Sequence, residues 1–280
     1  MKIENALKEG FLKLKQNNIS SALLDSQLLM SKTIKRDQKF IILNPDKELK
    51  NCDYKYFKKL ISHRARGKPV AYLTKIKSFW NYDFFLNDKV LIPRSDSELI
   101  VEQVLEVYKN KRIINFLEIG VGSGCLILSI LKEKKFFSGI GIDISNHAIK
   151  ICRINAKKLK IENRIKLFKS DIDNFNLGKY DLIISNPPYI KKLDFRGLKK
   201  DILNFEPWLA LDGGLEGLSC FRKIIRKSSE LIKKRGKFIL EIACDQKRDV
   251  VKILRDNGFY INKVLRDLAN NDRCIISTKI

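Results

Sequence analysis

Residues 113–124 read Ile-Ile-Asn-Phe-Leu-Glu-Ile-Gly-Val-Gly-Ser-Gly, an apolar strand-like run that ends in three glycines on alternate positions, Gly120, Gly122 and Gly124. The apolar segment Cys125-Leu-Ile-Leu-Ser-Ile-Leu131 follows at once. A strand that feeds a helix through glycines is the opening unit of a parallel sheet. Glycine permits the tight turn and lets a ligand approach the backbone N–H groups at the helix N-terminus. Read alone, the loop is equally a plain strand-to-helix turn, so the segments around it decide the fold.

Downstream the alternation continues. The pattern predicts a helix over Gly124 to Lys132, a strand over Phe137 to Ile142, a helix over Ser145 to Lys160, and short strands around Ile165 and Leu182. A helix over Leu218 to Lys233 and a strand over Lys237 to Ile242 complete it. This is the signature of an α/β, doubly wound, Rossmann-like and mostly parallel sheet. A helix over Gln246 to Asp256 precedes strand-like segments at 258–265 and 273–278, which are close enough to pair as an antiparallel edge hairpin. Upstream, Ser95-Asp-Ser-Glu98 has the spacing of a capping box for a helix reaching about Lys109. Earlier still, Ile3, Leu7, Phe11 and Leu14 form one helical stripe, Leu24 and Leu28 mark a second, and Asp53 to Arg66 continues the helical pattern. After the Gly67-Lys-Pro69 break, the aromatic run Ser78 to Leu86 centred on Asn81 predicts a hairpin. The expected organisation is a small helical domain over 1–75, a hairpin linker over 76–95 and an α/β domain over 96–280.

The chain has 280 residues with 44% hydrophobic content, enough to bury a real core. Its longest apolar runs are far too short to cross a bilayer, and Met1-Lys-Ile-Glu-Asn5 opens no apolar signal segment, so a cytoplasmic location is expected. Six scattered cysteines without a Cys-x-x-Cys, and only two histidines, His63 and His147, predict free thiols and no metal centre. Lys and Arg outnumber acids 56 to 32, a net charge of +24. The lysines are spread along nearly every predicted helix. Proximity to RNA or the ribosome and a merely solvated basic composition both stay open.

The dinucleotide fingerprint needs a glycine three positions after Gly122, where Cys125 stands. Asp143, at the end of the second strand, lies near the roughly 20-residue offset at which an acid accepts from ribose hydroxyls. With Glu118 ending the first strand, the two acids suit a ligand that combines a ribose with positive charge, and S-adenosylmethionine is such a ligand. On this reading Glu118 faces its methionine portion, and the stretch Gly120, Val121, Gly122, Ser123 and Gly124 forms a backbone cradle. Asp143 takes the ribose, Asp171 after the third strand meets the adenine amino group, and Ile172 packs beside it.

A second motif, Ser185-Asn-Pro-Pro-Tyr-Ile190, follows the apolar run Tyr180-Asp-Leu-Ile-Ile184. Two prolines stiffen the loop and remove two N–H donors, which leaves carbonyl acceptors beside the Asn186 amide and the Tyr189 ring. A planar NH2 group needs two acceptors and a face to stack on. The Asn186 oxygen, the Pro187 carbonyl and Tyr189 offer these. A rigid turn after a strand is the plainer reading of the loop taken alone.

Together these residues resemble the class I methyltransferases that act on planar NH2 groups and, more closely, the release factor glutamine methyltransferases. The resemblance covers nearly the whole chain. Its landmarks are Gly67-Lys-Pro-Val-Ala-Tyr-Leu-Thr74, Phe79-Trp80, Leu91-Ile-Pro-Arg94, Asn186-Pro-Pro-Tyr189, Phe205-Glu-Pro207, and Arg266-Asp-Leu268 with Asp272-Arg273. It implies a methyltransferase domain over 96–280 and a helical N-terminal domain that helps recognise class 1 release factors. It further implies a target glutamine in their Gly-Gly-Gln motif and a catalytic set of Asn186, Pro187, Pro188 and Tyr189, with Asn186 also near the cofactor. Ser95 stands where the family usually has proline, Ala243 and Asn270 where it has glycine, and Ile172 where some relatives have an aromatic. An amide nitrogen is a poor nucleophile, so orientation is expected to carry the catalysis and no histidine base is required. A nucleic-acid amino-methyltransferase shares the Asn-Pro-Pro-Tyr loop and is the main alternative. A non-catalytic RNA-binding protein would not need Gly120, Asp143 and Asn186 together.

Overall fold

Nine strands organise the chain. β1 (Ile76–Phe79) and β2 (Tyr82–Phe85) form a hairpin. β3 (Asn115–Ile119), β4 (Ser138–Asp143), β5 (Ile165–Lys169), β6 (Tyr180–Ser185), β7 (Ile232–Glu241), β8 (Phe259–Arg266) and β9 (Asp272–Lys279) form one sheet in the order β5-β4-β3-β6-β7-β9-β8. The computed structural model describes residues 1–280. The first five strands of this order pair in parallel, and β9 runs antiparallel to both β7 and β8. The predicted doubly wound sheet and its edge hairpin are therefore both present.

The sheet is buried on both faces, which explains why its central strands read as continuous apolar runs. Successive residues point to opposite faces and join different cores. Phe116, Leu182, Ile184 and Ile239 pack with residues of the helices Glu98–Val107 (α6), Cys125–Glu133 (α7) and Asn146–Lys158 (α8). Leu117, Ile183, Phe238 and Leu240 pack with residues of the helices Ser219–Leu231 (α10) and Lys247–Asp256 (α11). Strand order reverses beside β3: the chain runs outward to β4 and β5, then returns to β6 on the other side. Such a switch opens a crevice at the carboxyl ends of the strands.

The chain divides into two compact units, Met1–Ile76 with Lys199–Phe205, and Lys77–Leu198 with Glu206–Ile280. The first holds the helices Ile3–Gln16 (α1), Ala22–Ile34 (α2), Gln38–Leu43 (α3), Asn51–Ala65 (α4) and Val70–Thr74 (α5), together with Lys200–Phe205 (α9). Its core gathers Ile3, Leu14, Leu29, Phe57 and Leu60. The buried stripe of α2 is not the Leu24–Leu28 face read from the sequence. It is Ala22, Asp25, Ser26, Leu29, Met30 and Thr33, and Leu24 is exposed. A carboxylate sits inside because Arg64 Nε donates to Asp25 Oδ2 at 2.6 Å, and an ion pair with good geometry offsets the cost of desolvation.

One local expectation changes in the second unit. The capping box at Ser95–Glu98 is not made: Ser95–Ser97 is a 3-10 turn, and no side chain caps α6. Glu98 Oε1 instead accepts from the Trp80 backbone N–H at 2.7 Å. That bond supports the predicted hairpin turn between β1 and β2, where Trp80 takes the left-handed conformation at φ 55°. Trp80 Nε1 donates to Glu133 Oε1 at 2.9 Å, which gives the bulky residue a second anchor in this unfavourable region. Asn270 sits at φ 64°, a conformation asparagine tolerates better than most residues.

Candidate active site

A cavity of about 320 Å³ lies at the carboxyl ends of β3, β4 and β6, where the strand order reverses. Of the residues singled out in the sequence, Glu118, Gly120, Val121, Gly122, Ser123, Asp143, Asp171, Ile172, Asn186 and Pro188 line it. Gly124, Pro187 and Tyr189 do not.

The β3–β4 side of the wall is built from nearby chain. Glu118 is 1% exposed, and its Oε2 accepts from the Ile127 N–H at 2.9 Å in the first turn of α7. A carboxylate belongs there because the helix N-terminus carries partial positive charge. Burial pushes the Glu118 carboxyl well above the usual carboxylate range, against the pull of the Ile127 N–H, and Asp143 adds to the rise. Gly120 and Gly122 sit at φ 80° and 53°, and a Cβ on either would meet nothing within 4 Å. The backbone there faces open space, as a ligand cradle requires. Gly124, at φ 82°, has another duty: a Cβ there would lie 2.5 Å from Cys152 Sγ, so the glycine lets α7 pack on α8.

Asp143 closes β4. Its Oδ2 accepts from the Gly122 N–H at 3.0 Å and its Oδ1 from the Ser145 N–H at 2.8 Å. Each oxygen keeps a second lone pair for a ligand hydroxyl. Burial raises its carboxyl, partly offset by those two N–H groups. Asp171 is exposed and caps the turn Ile172–Asn174 by accepting from the Asp173 N–H at 3.0 Å, while Ile172 is buried.

The β6 side is different. Asn186 follows the last residue of β6 and donates from Nδ2 to Ser97 Oγ at 2.9 Å. The loop beyond it is pinned by backbone bonds, Ile190 N–H to Leu211 O at 3.0 Å and Gly213 N–H to Ile190 O at 2.9 Å. Gln246 Nε2 also donates to Tyr189 O, at 3.1 Å. The Tyr189 hydroxyl donates to Glu241 Oε1 at 3.3 Å. Burial, with Glu241 beside it, raises the phenol.

Sequence reading missed four residues of this region as site elements. In the sequence Ser97 falls only within the Ser95–Glu98 cap spacing, and Glu241 only within the strand predicted over Lys237 to Ile242. Ser97 Oγ donates to Glu241 Oε2 at 2.6 Å, and no local spacing signals a bond between residues 144 apart. Arg94 Nη2 likewise donates to Glu206 Oε1 at 2.6 Å, and the Ile92 N–H donates to Glu206 Oε2 at 3.3 Å. Two separate sequence landmarks thus meet beside the cavity that Arg94 and Pro207 line.

Residues 5–74 match the family model described as the PrmC N-terminal domain, and residues 95–204 match the methyltransferase small domain. A release factor glutamine methyltransferase of Clostridium acetobutylicum is 34% identical over 282 residues, spanning 100% of this chain and 99% of its own. The chain belongs to the release factor glutamine methyltransferase family. A bifunctional methyltransferase of Rickettsia conorii is 32% identical over 99% of this chain, which spans 58% of that longer protein. Among solved structures, a ribosomal protein L11 methylase of Lactobacillus delbrueckii subsp. bulgaricus superposes with a TM-score of 0.51 at 18% identity, covering 69% of this chain and 82% of its own. A methyltransferase of Pyrococcus furiosus gives a TM-score of 0.51 at 18% identity, over 71% and 90%. These two likenesses bear on the fold alone. As a member of the release factor glutamine methyltransferases, the chain is an S-adenosylmethionine-dependent enzyme. No helix is long and apolar enough to cross a membrane.

Proposed function

We propose that this enzyme methylates the side-chain amide nitrogen of the glutamine in the Gly-Gly-Gln motif of class 1 peptide chain release factors, in the cytoplasm, in support of translation termination. The observation that carries the reading is Asn186: it lines the cavity, its NH2 is tied back to Ser97, and no group of the chain donates to its Oδ1. An open acceptor on a stiff loop is what a planar NH2 substrate needs. The match over 5–74 to a domain named for this family favours a protein amide over a nucleobase.

The cavity fits the cofactor on its own chemistry. Gly120 and Gly122 leave open space in front of the backbone, and Asp143 keeps a lone pair on each oxygen for the two ribose hydroxyls. Glu118 sets an acid near the cationic portion, and Asp171 with Ile172 borders the adenine. S-adenosylmethionine supplies the electrophilic methyl group. The residues of the chain supply orientation. Asn186 Oδ1 would accept one N–H of the substrate amide, and the Pro187 carbonyl, which does not itself line the cavity but accepts from no chain group, would take the other. Two accepted hydrogen bonds turn the nitrogen lone pair out of conjugation, and holding it so removes entropy and reorganisation from the barrier. As the nitrogen–methyl bond forms, the sulfonium–methyl bond would break and leave the neutral thioether, and the alkylated nitrogen, now acidic, would release its proton to water. The net charge of +24 supports action close to RNA or the ribosome.

The test is transfer of labelled methyl to purified release factor, with duplex DNA and ribosomal RNA as parallel acceptors. Asn186→Ala is expected to cut transfer to release factor by about a hundredfold or more, with cofactor affinity by calorimetry within about threefold of wild type. Undiminished transfer would overturn the role of Asn186, and label entering nucleic acid alone would overturn the substrate.

A further inference from the structure

Behind the cavity wall runs a chain of hydrogen bonds that methyl transfer, as described so far, does not use. Glu241 ends β7 and is 1% exposed; Ser97 precedes α6 and is 2% exposed. Ser97 Oγ donates to Glu241 Oε2 at 2.6 Å and accepts from Asn186 Nδ2 at 2.9 Å. Tyr189 Oη donates to the other Glu241 oxygen at 3.3 Å. Sheet register brings these residues together, because β6 and β7 pair with Ser185 opposite Leu240, one residue before Asn186 and Glu241 respectively.

When Glu241 is ionised, the polarity of this chain is set from its far end. A carboxylate has no proton to give, and a serine hydroxyl has one. Once that proton is committed to Glu241, Ser97 Oγ can only accept, and the Asn186 amide must turn its NH2 toward it. Oδ1 then faces away from Ser97. Were the amide reversed, two N–H donors would confront the N–H donors of the substrate.

We propose that Ser97 and Glu241 are positioning residues for methyl transfer: Glu241, acting through Ser97, locks the Asn186 amide with its oxygen presented to the substrate NH2 group. This rests on the reading that the methyl acceptor is a planar amide or amino nitrogen. Titratable and charged groups face Glu241 from several elements. Arg273 and Cys274 face it from β9, Asp96 from the turn before α6, Tyr189 from the loop and Cys125 from α7. Burial raises its carboxyl, and Ser97, Arg273 and Tyr189 pull it part of the way back toward the carboxylate form.

A merely structural tie between α6 and β7 would lower stability when cut and leave the turnover of folded enzyme alone. A polarity lock makes a different prediction. Ser97→Ala and Glu241→Gln should each lower kcat for release factor by about tenfold or more, with cofactor affinity within about threefold. The double variant should be no worse than Ser97→Ala, because both changes break one chain. Undiminished kcat in folded Ser97→Ala, or losses that multiply in the double variant, would overturn the proposal. A second measurement needs no substrate, so it separates failure of the lock from failure of the substrate assignment. In 15N-labelled protein, the Asn186 side-chain amide, assigned by its loss in Asn186→Ala, should show one downfield, exchange-protected proton that disappears in Ser97→Ala. An Asn186 amide with the shift and exchange of free solvent in the wild type would overturn the lock whatever the acceptor proves to be.

Discussion

The two sides of the cavity hold their polar groups by different means. On the β3–β4 side every acid is satisfied by backbone close in sequence: Glu118 by an N–H 9 residues away, Asp143 by N–H groups 21 and 2 residues away, Asp171 by one 2 residues away. On the β6–β7 side the partners are side chains from remote segments: Glu241 and Ser97 are 144 residues apart, Asn186 and Ser97 are 89 apart, and Tyr189 and Glu241 are 52 apart. The first side is assembled by one strand-turn-helix unit after another. The second exists only when the sheet has closed and α6 has docked. The cofactor side is therefore a matter of local geometry, and the acceptor side a matter of tertiary packing.

The largest expected effect probes the local side. Asp143→Ala removes an acceptor with a lone pair free on each oxygen, worth about 3 kcal/mol for two charge-assisted hydrogen bonds, or roughly a hundredfold in cofactor affinity. At saturating cofactor, kcat should stay within about fivefold of wild type. Asn186→Ala should give the opposite split, with kcat lost and cofactor affinity kept. Calorimetry combined with steady-state kinetics checks both; two variants with the same split would abolish the distinction between the sides.

The contrast also explains what could be read in advance. The sheet, its glycine turn and the Glu118 and Asp143 positions were legible because their signals are local: an apolar run, a turn that needs positive φ, an acid at a fixed offset. Ser97 was misread for the same reason. Ser95-Asp-Ser-Glu98 has a local meaning as a cap, but Glu98 is drawn to the Trp80 N–H and Ser97 to Glu241, partners that only the folded sheet provides. The α2 stripe failed similarly, since Asp25 enters the core only by virtue of Arg64 on another helix. Asn186 was legible as a residue type, whereas the direction of its amide was not.

Ionisation of Glu241 sharpens the comparison further. Burial pushes its carboxyl from an ordinary 4.5 up to about 7, although Ser97, Arg273 and Tyr189 pull it back. The folded value lies above the unfolded one, so between these limits the folded chain keeps a proton that the unfolded chain has released. The stabilisation is full below pH 4.5 and is lost as pH rises through 7, a change of about 3 kcal/mol. Catalysis should run the other way, because the polarity lock needs the carboxylate. Urea unfolding should show stability falling from pH 5 to 7, and saturated kcat should rise from pH 6 to 8. Glu241→Gln should remove its share of both slopes. Glu118 and Asp143 are also raised by burial, so part of the falling stability slope that survives in that variant belongs to the cofactor side. An unchanged pair of profiles in Glu241→Gln would detach the acceptor side from this carboxyl.

Tyr189 marks the smallest effect, and it tests how far the remote network extends. Its hydroxyl reaches Glu241 at 3.3 Å, a longer bond than the 2.6 Å link from Ser97, and it attaches to the oxygen that Ser97 does not use. Removing it leaves the Ser97 bond, and hence the direction of the Asn186 amide, in place. Tyr189→Phe should therefore cost about 1 kcal/mol in stability and no more than about threefold in kcat. It should also move the Glu241 titration further upward, since one of the hydrogen bonds favouring the carboxylate is gone. The midpoint of the kcat profile would then shift to higher pH with its plateau nearly intact. A loss in plateau as deep as that expected for Ser97→Ala would mean that the Tyr189 hydroxyl is as necessary to the direction of the Asn186 amide as the Ser97 bond. In that case the lock would have two arms.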